Sequence, residues 1–315
     1  MTTYKTLRAY EANQRRQEKV RQKTIETQNA YKAVNDWKKV ILNLKTIHLK
    51  STPLIDWHKI KNTEMPSEPL REYKNEDFAT DELENFKPTF FDKLLGLVPK
   101  KINNLNQLLE QAKVKDSIEN DEIYNLYQIS LKDWHKLNEI SIGVVKNDIQ
   151  SYKKALEYFD PFSEMEEIGN QIKINIENDF IDIDLTINGI EIIPDYELKQ
   201  TSTGKLSRTN MPKTRFNELY QQHVCSCLLR VAKEVFAHLP YKYSRVNAIA
   251  KIVNCQNGKV ERKVILSVLF STDIMQKINF GLTQPLDNIQ AFSNEMVIHK
   301  INGFSPVNRI EFNLR

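Results

Sequence analysis

Glycine is scarce in this chain, at 8 of 315 residues, so Gly-rich phosphate-cradling loops have little to be built from. The P-loop spacing is absent as well. The stretch Thr201-Ser202-Thr203-Gly204-Lys205 has Lys199 where the first glycine of that motif would stand. Cysteine is rarer still. Three residues, Cys225, Cys227 and Cys255, make an odd number that cannot form a closed disulfide framework, which implies reduced thiols in a cytoplasmic protein. No run approaches the roughly 18 apolar residues of a membrane helix. The opening residues, MTTYKTLRAYEANQRRQEKV, are polar and basic with no apolar core of a secretory signal. No membrane association is expected. At roughly 100–200 residues per domain the length allows about two domains. The composition, 40% hydrophobic and 27% charged, suits ordinary globular folding rather than disorder.

Three regions are expected: residues 1–50, a basic N-terminal helix; residues 51–150, a helical middle region; and residues 151–315, an α+β domain. The first contains no Gly or Pro and consists mainly of strong helix formers, as one long helix or two. Before Val34 its apolar residues are sparse (Leu7, Val20, Ile25, Ala30), too few for a coiled-coil seam. From Tyr31 onward Val34, Trp37, Ile41, Leu44 and Ile47 recur at helical spacing. The first thirty residues are therefore expected to project, and the helix from Tyr31 to pack. Residues 51–88 form an irregular, acidic linker punctuated by Pro53, Pro66, Pro69 and Pro88. Residues 89–160 read as helical, with Thr89 as an N-cap, Pro99 as an interruption, and Ile123, Tyr127, Trp134 and Leu137 on one face.

Past Ile168 the period changes to two. QIKINIE places Ile172, Ile174 and Ile176 on one side. FIDIDLTI places Ile181, Ile183, Leu185 and Ile187 on one side and Asp182 and Asp184 on the other. Asn188-Gly189 signals a hairpin into a third strand, IEII, continued by YELK. Residues 201–212 form a polar loop, followed by a long helix from about Lys213 to Leu239. Then come VNAIAKIV, a turn at Asn257-Gly258, and KVILSVLF. The order α-β-β-β-α-β-β predicts a mostly antiparallel sheet packed on a long helix, an α+β class.

Charge is unevenly distributed. Residues 1–50 carry twelve Lys/Arg against four Asp/Glu, residues 155–197 twelve acids against one lysine, and residues 199–245 nine bases against two acids. Mutual neutralisation is one explanation. A divalent-cation site beside a phosphate-holding surface is the other. In a strand Glu197 and Lys199 face the same side, and an Asp on a neighbouring strand would complete a two-carboxylate, one-lysine set. On these residues and on the core order, the segment 151–253 resembles the PD-(D/E)xK nuclease superfamily. That resemblance implies Asp184, or Asp182 in its place, and Glu197 as ligands of Mg²⁺ or Mn²⁺, with Lys199 as the partner of the attacking water. The stretch TGKLSRTNMPKTRFNELYQQHVCSCLLRVAKEVFAHLP resembles a group of uncharacterised bacterial proteins, which implies a bacterial intracellular setting and no chemistry.

His223, Cys225 and Cys227 lack the fourth ligand of a zinc site and read as core residues. The remaining histidines pair with no nucleophile. The leading expectation is accordingly a binding protein without a cofactor. Arg15, Arg16, Lys19 and Arg21 on the basic helix, with Arg8 and Lys23 beside them, would contact nucleic acid or a protein partner. Lys205, Arg208, Lys213 and Arg215 on the loop and following helix would join them. A metal-dependent nuclease and a subunit of a larger protein assembly are the alternatives.

Overall fold

The computed structural model describes residues 2–167, 170–187, 190–253 and 258–312, with residues 2–8, 166, 167, 190 and 253 described by backbone alone. The turn expected at Asn188-Gly189, Asn257 of the second turn and Cys255 lie outside the described residues. The chain forms two compact units, residues 1–55 with 152–315 and residues 56–151. No helix among the described residues is long and apolar enough to cross a membrane.

The first unit contains α1 (Thr2–Thr46), α6 (Ile149–Phe159), α7 (Ser163–Glu167), β1 (Gln171–Ile176), β2 (Ile181–Thr186), β3 (Tyr196–Gln200), β4 (Leu206–Asn210) and α8 (Lys213–His238). It closes with β5 (Tyr243–Val253), β6 (Val260–Ser271), α9 (Thr272–Met275), α10 (Pro285–Gln290), β7 (Ser293–His299) and β8 (Gly303–Ser305). Six strands make one sheet in the order β1-β2-β5-β6-β7-β8, and β3-β4 stand apart as a two-stranded hairpin. Every neighbouring pair in the large sheet is antiparallel except β2 and β5. Parallel strands need a long crossover, and α8 lies in that connection. The α+β class, the mostly antiparallel sheet and the long helix are as the residue pattern predicts.

The sheet's two faces differ in chemistry. Ile181, Ile183 and Leu185 on β2 stand opposite Ser244, Val246 and Ala248 on β5, and most of this face is fully buried beneath α8. The opposite face carries Asp182, Asp184, Arg245, Asn247 and Ser267. A terminal strap crosses it: Val307 N–H donates to Val264 O (2.9 Å) and Ile310 N–H to Ser267 Oγ (3.0 Å), and the Phe312 ring stacks on Phe180 (4.2 Å).

Two local expectations give way. IEII is not a strand: Ile190–Ile192 is a 3-10 turn, cut short by Pro194, which supplies no ladder N–H. Residues 201–212 are not all loop. Gly204, at φ +85°, closes a tight reversal, and Leu206–Asn210 pairs with β3. That strand is polar because the hairpin has no buried face along most of its length. In α1 the exposed and packed parts divide within one residue of the expected boundary. It is one helix, exposed over residues 9–26, and burial begins at Ala30, just before the expected Tyr31.

The second unit contains α2 (Trp57–Lys61), α3 (Lys74–Glu84), α4 (Phe90–Leu94) and α5 (Val98–Val145). Thr89 caps α4 as expected, in a reciprocal pair with Asp92. Pro99 does not interrupt a helix. It sits in the first turn of the 48-residue α5, where its missing N–H leaves no intrahelical bond unmade. The expected irregular linker contains α3, whose cap comes from far along the chain. Asp116 on α5 accepts from Asn75 N–H (3.2 Å) and Glu76 N–H (2.7 Å), and Asn120 accepts from Glu72 N–H (2.9 Å). Burial alone would raise the Asp116 carboxyl, but bonds from Asn75 and Glu76 hold it below its ordinary value. Asp116→Ala is therefore expected to fray the first turn of α3 and to lower the unfolding midpoint of residues 56–151 by several degrees. Amide hydrogen exchange at Asn75 and Glu76 and a thermal melt check this.

Candidate functional site

By helix geometry, at about 100° per residue, Arg15, Lys19, Lys23 and Arg16 fall within an arc of roughly 100° on α1. Ala30, Val34, Trp37, Ile41 and Leu44 fall on the same arc. The face that is apolar and packed after Thr27 thus continues, in line, as a cationic face before it. Arg21 lies on the opposite side. Glu26 shares the cationic face, and Glu11 and Glu18 flank it. Arg15, Arg16, Lys19, Arg21 and Lys23 are exposed. Among the described residues no carboxylate stands within ion-pair distance of any of them. Of Arg8 only the backbone is described.

The β3-β4 hairpin is fastened to α1 where this change occurs. Trp37 Nε1 donates to Tyr196 O (3.2 Å). Gln200 Nε2 donates to Thr27 O (2.9 Å) and to Gly204 O (3.1 Å), joining helix and hairpin tip through one amide. A Cβ on Gly204 would stand 2.8 Å from Thr27 Oγ1, so glycine is required both for its backbone and for this approach. Lys205 follows directly and is exposed. Thr27 and Lys23 are one helical turn apart, about 6 Å along the axis, so Lys205 adjoins the cationic face.

The other basic candidates are placed differently. Arg208 lies over the Tyr196 ring at 3.9 Å, leaving its edge in solvent. Lys213 is exposed at the start of α8. Arg215 is paired with Glu218 at 3.0 Å. The turn amides around Gly204 are occupied: Gly204 N–H donates to Thr201 O, and Lys205 N–H to Thr201 Oγ1. Any phosphate contact here rests on the Lys205 side chain rather than on backbone donors.

The carboxylates singled out by the nuclease resemblance are distributed over two sheets. Glu197 and Lys199 share a side of β3, as their spacing requires, and bind each other at 3.0 Å. Asp182 and Asp184 belong to β2 of the six-stranded sheet. Arg245 grips Asp182 with two bonds (2.8 and 2.9 Å), Arg309 of the strap reaches both Asp182 (3.2 Å) and Asp184 (2.7 Å), and Asn247 Nδ2 donates to both. Ser267 in turn donates to Asn247 Oδ1 (2.7 Å). Burial would raise the Asp182 carboxyl, but the Arg245, Asn247 and Arg309 contacts outweigh it and hold it low. Among the described residues no group of three or more His, Cys, Asp or Glu is placed to hold a metal ion. Arg245 and Arg309 leave no local signal as partners of these carboxylates, because they arrive from 63 and 125 or more residues away.

Cys225 and Cys227 are fully buried, and burial pushes both thiols far above their ordinary range. His223 touches Cys227 one turn later (Nε2 to Sγ, 3.6 Å) and meets Leu44 O at 3.2 Å. No protein-family model, curated protein or solved structure matches this chain.

Asp182→Asn is expected to leave Arg245 half-buried with its pairing broken, at a cost of about 3 kcal/mol. The pH dependence has a defined sign. A carboxyl held low in the folded state stabilises fully above its ordinary value of about 3.9 and loses that contribution as pH falls through the depressed value. The native protein should therefore lose stability below about pH 4 more steeply than Asp182→Asn. Urea unfolding at pH 7 and along an acid series measures both effects.

Proposed function

We propose that this protein binds nucleic acid through its phosphate backbone, using the cationic face of α1 and the adjoining Lys205 tip of the β3-β4 hairpin. One observation carries the reading. Arg15, Arg16, Lys19 and Lys23 share one face of a continuous helix, and the packed part of that same helix fixes their direction. Unpaired lysines and arginines on a rigid rod gain little for folding, since exposed charges contribute little to stability. They are suited to releasing counterions from a polyanion without reading sequence. Arg208, stacked on Tyr196, offers a guanidinium edge on the neighbouring hairpin surface.

The test uses a fluorescent duplex and a single strand in a salt series. Each phosphate contact adds about 0.9 to the slope of log affinity on log salt for duplex DNA. Arg15→Ala/Arg16→Ala/Lys19→Ala/Lys23→Ala should weaken binding more than tenfold and flatten the slope by about 3.6 units. Arg21→Ala, on the far side of the helix, should change affinity less than twofold. Equal losses from both variants, or a salt-independent affinity, would overturn the reading.

A second reading, attachment to a protein assembly, is favoured by a different observation in residues 56–151. Phe90 and Phe91 are 74% and 69% exposed, and Leu94 and Leu95 are comparably open. Phe90, Phe91 and Leu94 lie on α4, with Leu95 as its C-cap, and the helix is held by the Thr89 cap and the Asp92–Lys101 ion pair at 2.7 Å. A contiguous apolar patch of this kind marks an interaction site. If it drives self-association, Phe90→Ser/Phe91→Ser should lower the mass seen by light scattering with no change in the melting profile. An unchanged mass would remove self-association from this patch.

A further inference from the structure

A cavity of about 490 Å³ lies in the first unit among α1, α7, α8 and the 3-10 turn at Ile190–Ile192. That volume falls within the range of roughly 300–1,000 Å³ typical of small-molecule sites. Val40, Leu44, Ile47, Met165 and Ile192 supply apolar wall, and Arg230 is the buried cation among them. Arg230 is only 7% exposed. Its Nη2 lies 3.2 Å from Glu234 Oε1 and 3.5 Å from Glu164 Oε2. Its Nη1 is buried with no hydrogen-bond partner.

This is an uneconomical way to bury a guanidinium. A buried ionised donor with unmade bonds is costly, and guanidinium is shaped to hold a carboxylate by two parallel N–H bonds. Glu234 does not complete the set: its Oε1 also accepts Thr52 N–H (3.0 Å), and its Oε2, buried 3.6 Å from His238 Nδ1, makes no hydrogen bond to the guanidinium. Glu164 reaches Arg230 only at the limit of hydrogen-bonding distance, from a side chain that is largely in solvent. With Glu164 and Glu234 already beside Arg230, a doubly charged phosphate would meet more repulsion than a single carboxylate. The apolar wall calls for a hydrocarbon portion. We propose that this cavity binds a small amphipathic carboxylate, its head on Arg230 and its hydrocarbon against Val40, Leu44, Ile47, Met165 and Ile192. Lys50, at the cavity lining, adds a second positive charge. The site is separate from the cationic face of α1 and does not depend on nucleic-acid binding.

Isothermal titration of the full chain with octanoate, acetate and octanol tests it. Saturable one-to-one binding of octanoate is expected, with acetate and octanol at least tenfold weaker. Arg230→Met, which keeps the length of the side chain, should weaken octanoate at least tenfold. Glu164→Gln should strengthen it severalfold by removing a competing carboxylate. Val40→Trp fills the cavity from a residue that is 46% exposed, so it tests occupancy even where Arg230→Met fails to fold, and it should abolish binding. Absence of saturable octanoate binding would overturn the proposal. So would octanol binding as tightly as octanoate, or unaltered octanoate binding by Val40→Trp.

Discussion

From Leu219 to His238, α8 has almost no solvent-facing side chain, so the polar groups in that span depend on neighbouring elements for their bonds. The polar residues recur three or four apart: His223, Ser226, Arg230, Lys233 and Glu234. That spacing aligns them as one seam on a helix, and the end of α1 and the residues after it supply the partners. Ser226 Oγ meets both the His48 backbone N–H (3.2 Å) and His48 Nδ1 (2.8 Å), and Lys233 donates to His48 O (2.8 Å). Leu44 O meets His223, and Thr52 N–H meets Glu234. Burial, with Lys233 nearby, lowers the His48 imidazole to about 4, so at neutral pH it joins this seam uncharged. A hydrophobic contact would allow α1 to slide along α8. A polar seam with specific partners does not, because a shift of one turn leaves buried donors unmatched. This matching fixes the line along which α1 leaves the body, and with it the direction of the exposed part.

The elements with one plain period were legible in the residues. β1, β2, β5, β6 and α8 announce themselves by alternation or by an apolar stripe, and α6 ends at Asp160-Pro161 as a proline-terminated helix should. What was hidden has a common cause: the determinant lies far away in sequence. Asp116 makes α3 a helix from 40 residues downstream. Arg309 answers Asp184 from 125 residues downstream. Tyr196, Gln200 and Gly204 become a docked hairpin only because Trp37 and Thr27 are there to receive them. Of the candidate site, the cationic residues of α1 were visible as composition. Their common face with Ala30 and Val34 needs only helix geometry, and the continuity of the helix establishes it.

The uneven charge along the chain also finds part of its explanation. Acids of the segment 155–197 meet bases that follow it: Asp182 meets Arg245, and Glu164 reaches Arg230. Asp184 is answered by Arg309 from the strap. The acidic strand face is therefore a cross-strand network in which Asp182, Asn247 and Ser267 share bonds across three strands, and the strap closes it. Such a network stabilises only as a whole, because removing one charge leaves another buried and unpaired. The cations of α1 stand outside this balance. No acidic element is packed against Arg15, Arg16, Lys19 or Lys23 among the described residues, so neutralisation accounts for the sheet but not for the arm.

That difference bears on why the arm is helical at all. Residues 9–26 are exposed along their whole length, and a row of like charges on one face opposes a helix slightly. An isolated helix of this length is marginal in water because its first turn is costly to form. Here the first turn need not form alone. Residues 30–46 are held by α8, the Trp37 and Gln200 bonds clamp the helix at the hairpin, and each further residue toward the N-terminus adds only propagation. Strong helix formers such as Gln, Glu, Lys and Arg then suffice to extend it. The cations on that face are thereby held at a spacing of about 1.5 Å per residue along a straight axis. They would not keep that spacing in a disordered tail, so the phosphate contact proposed above would carry no cost of ordering the arm.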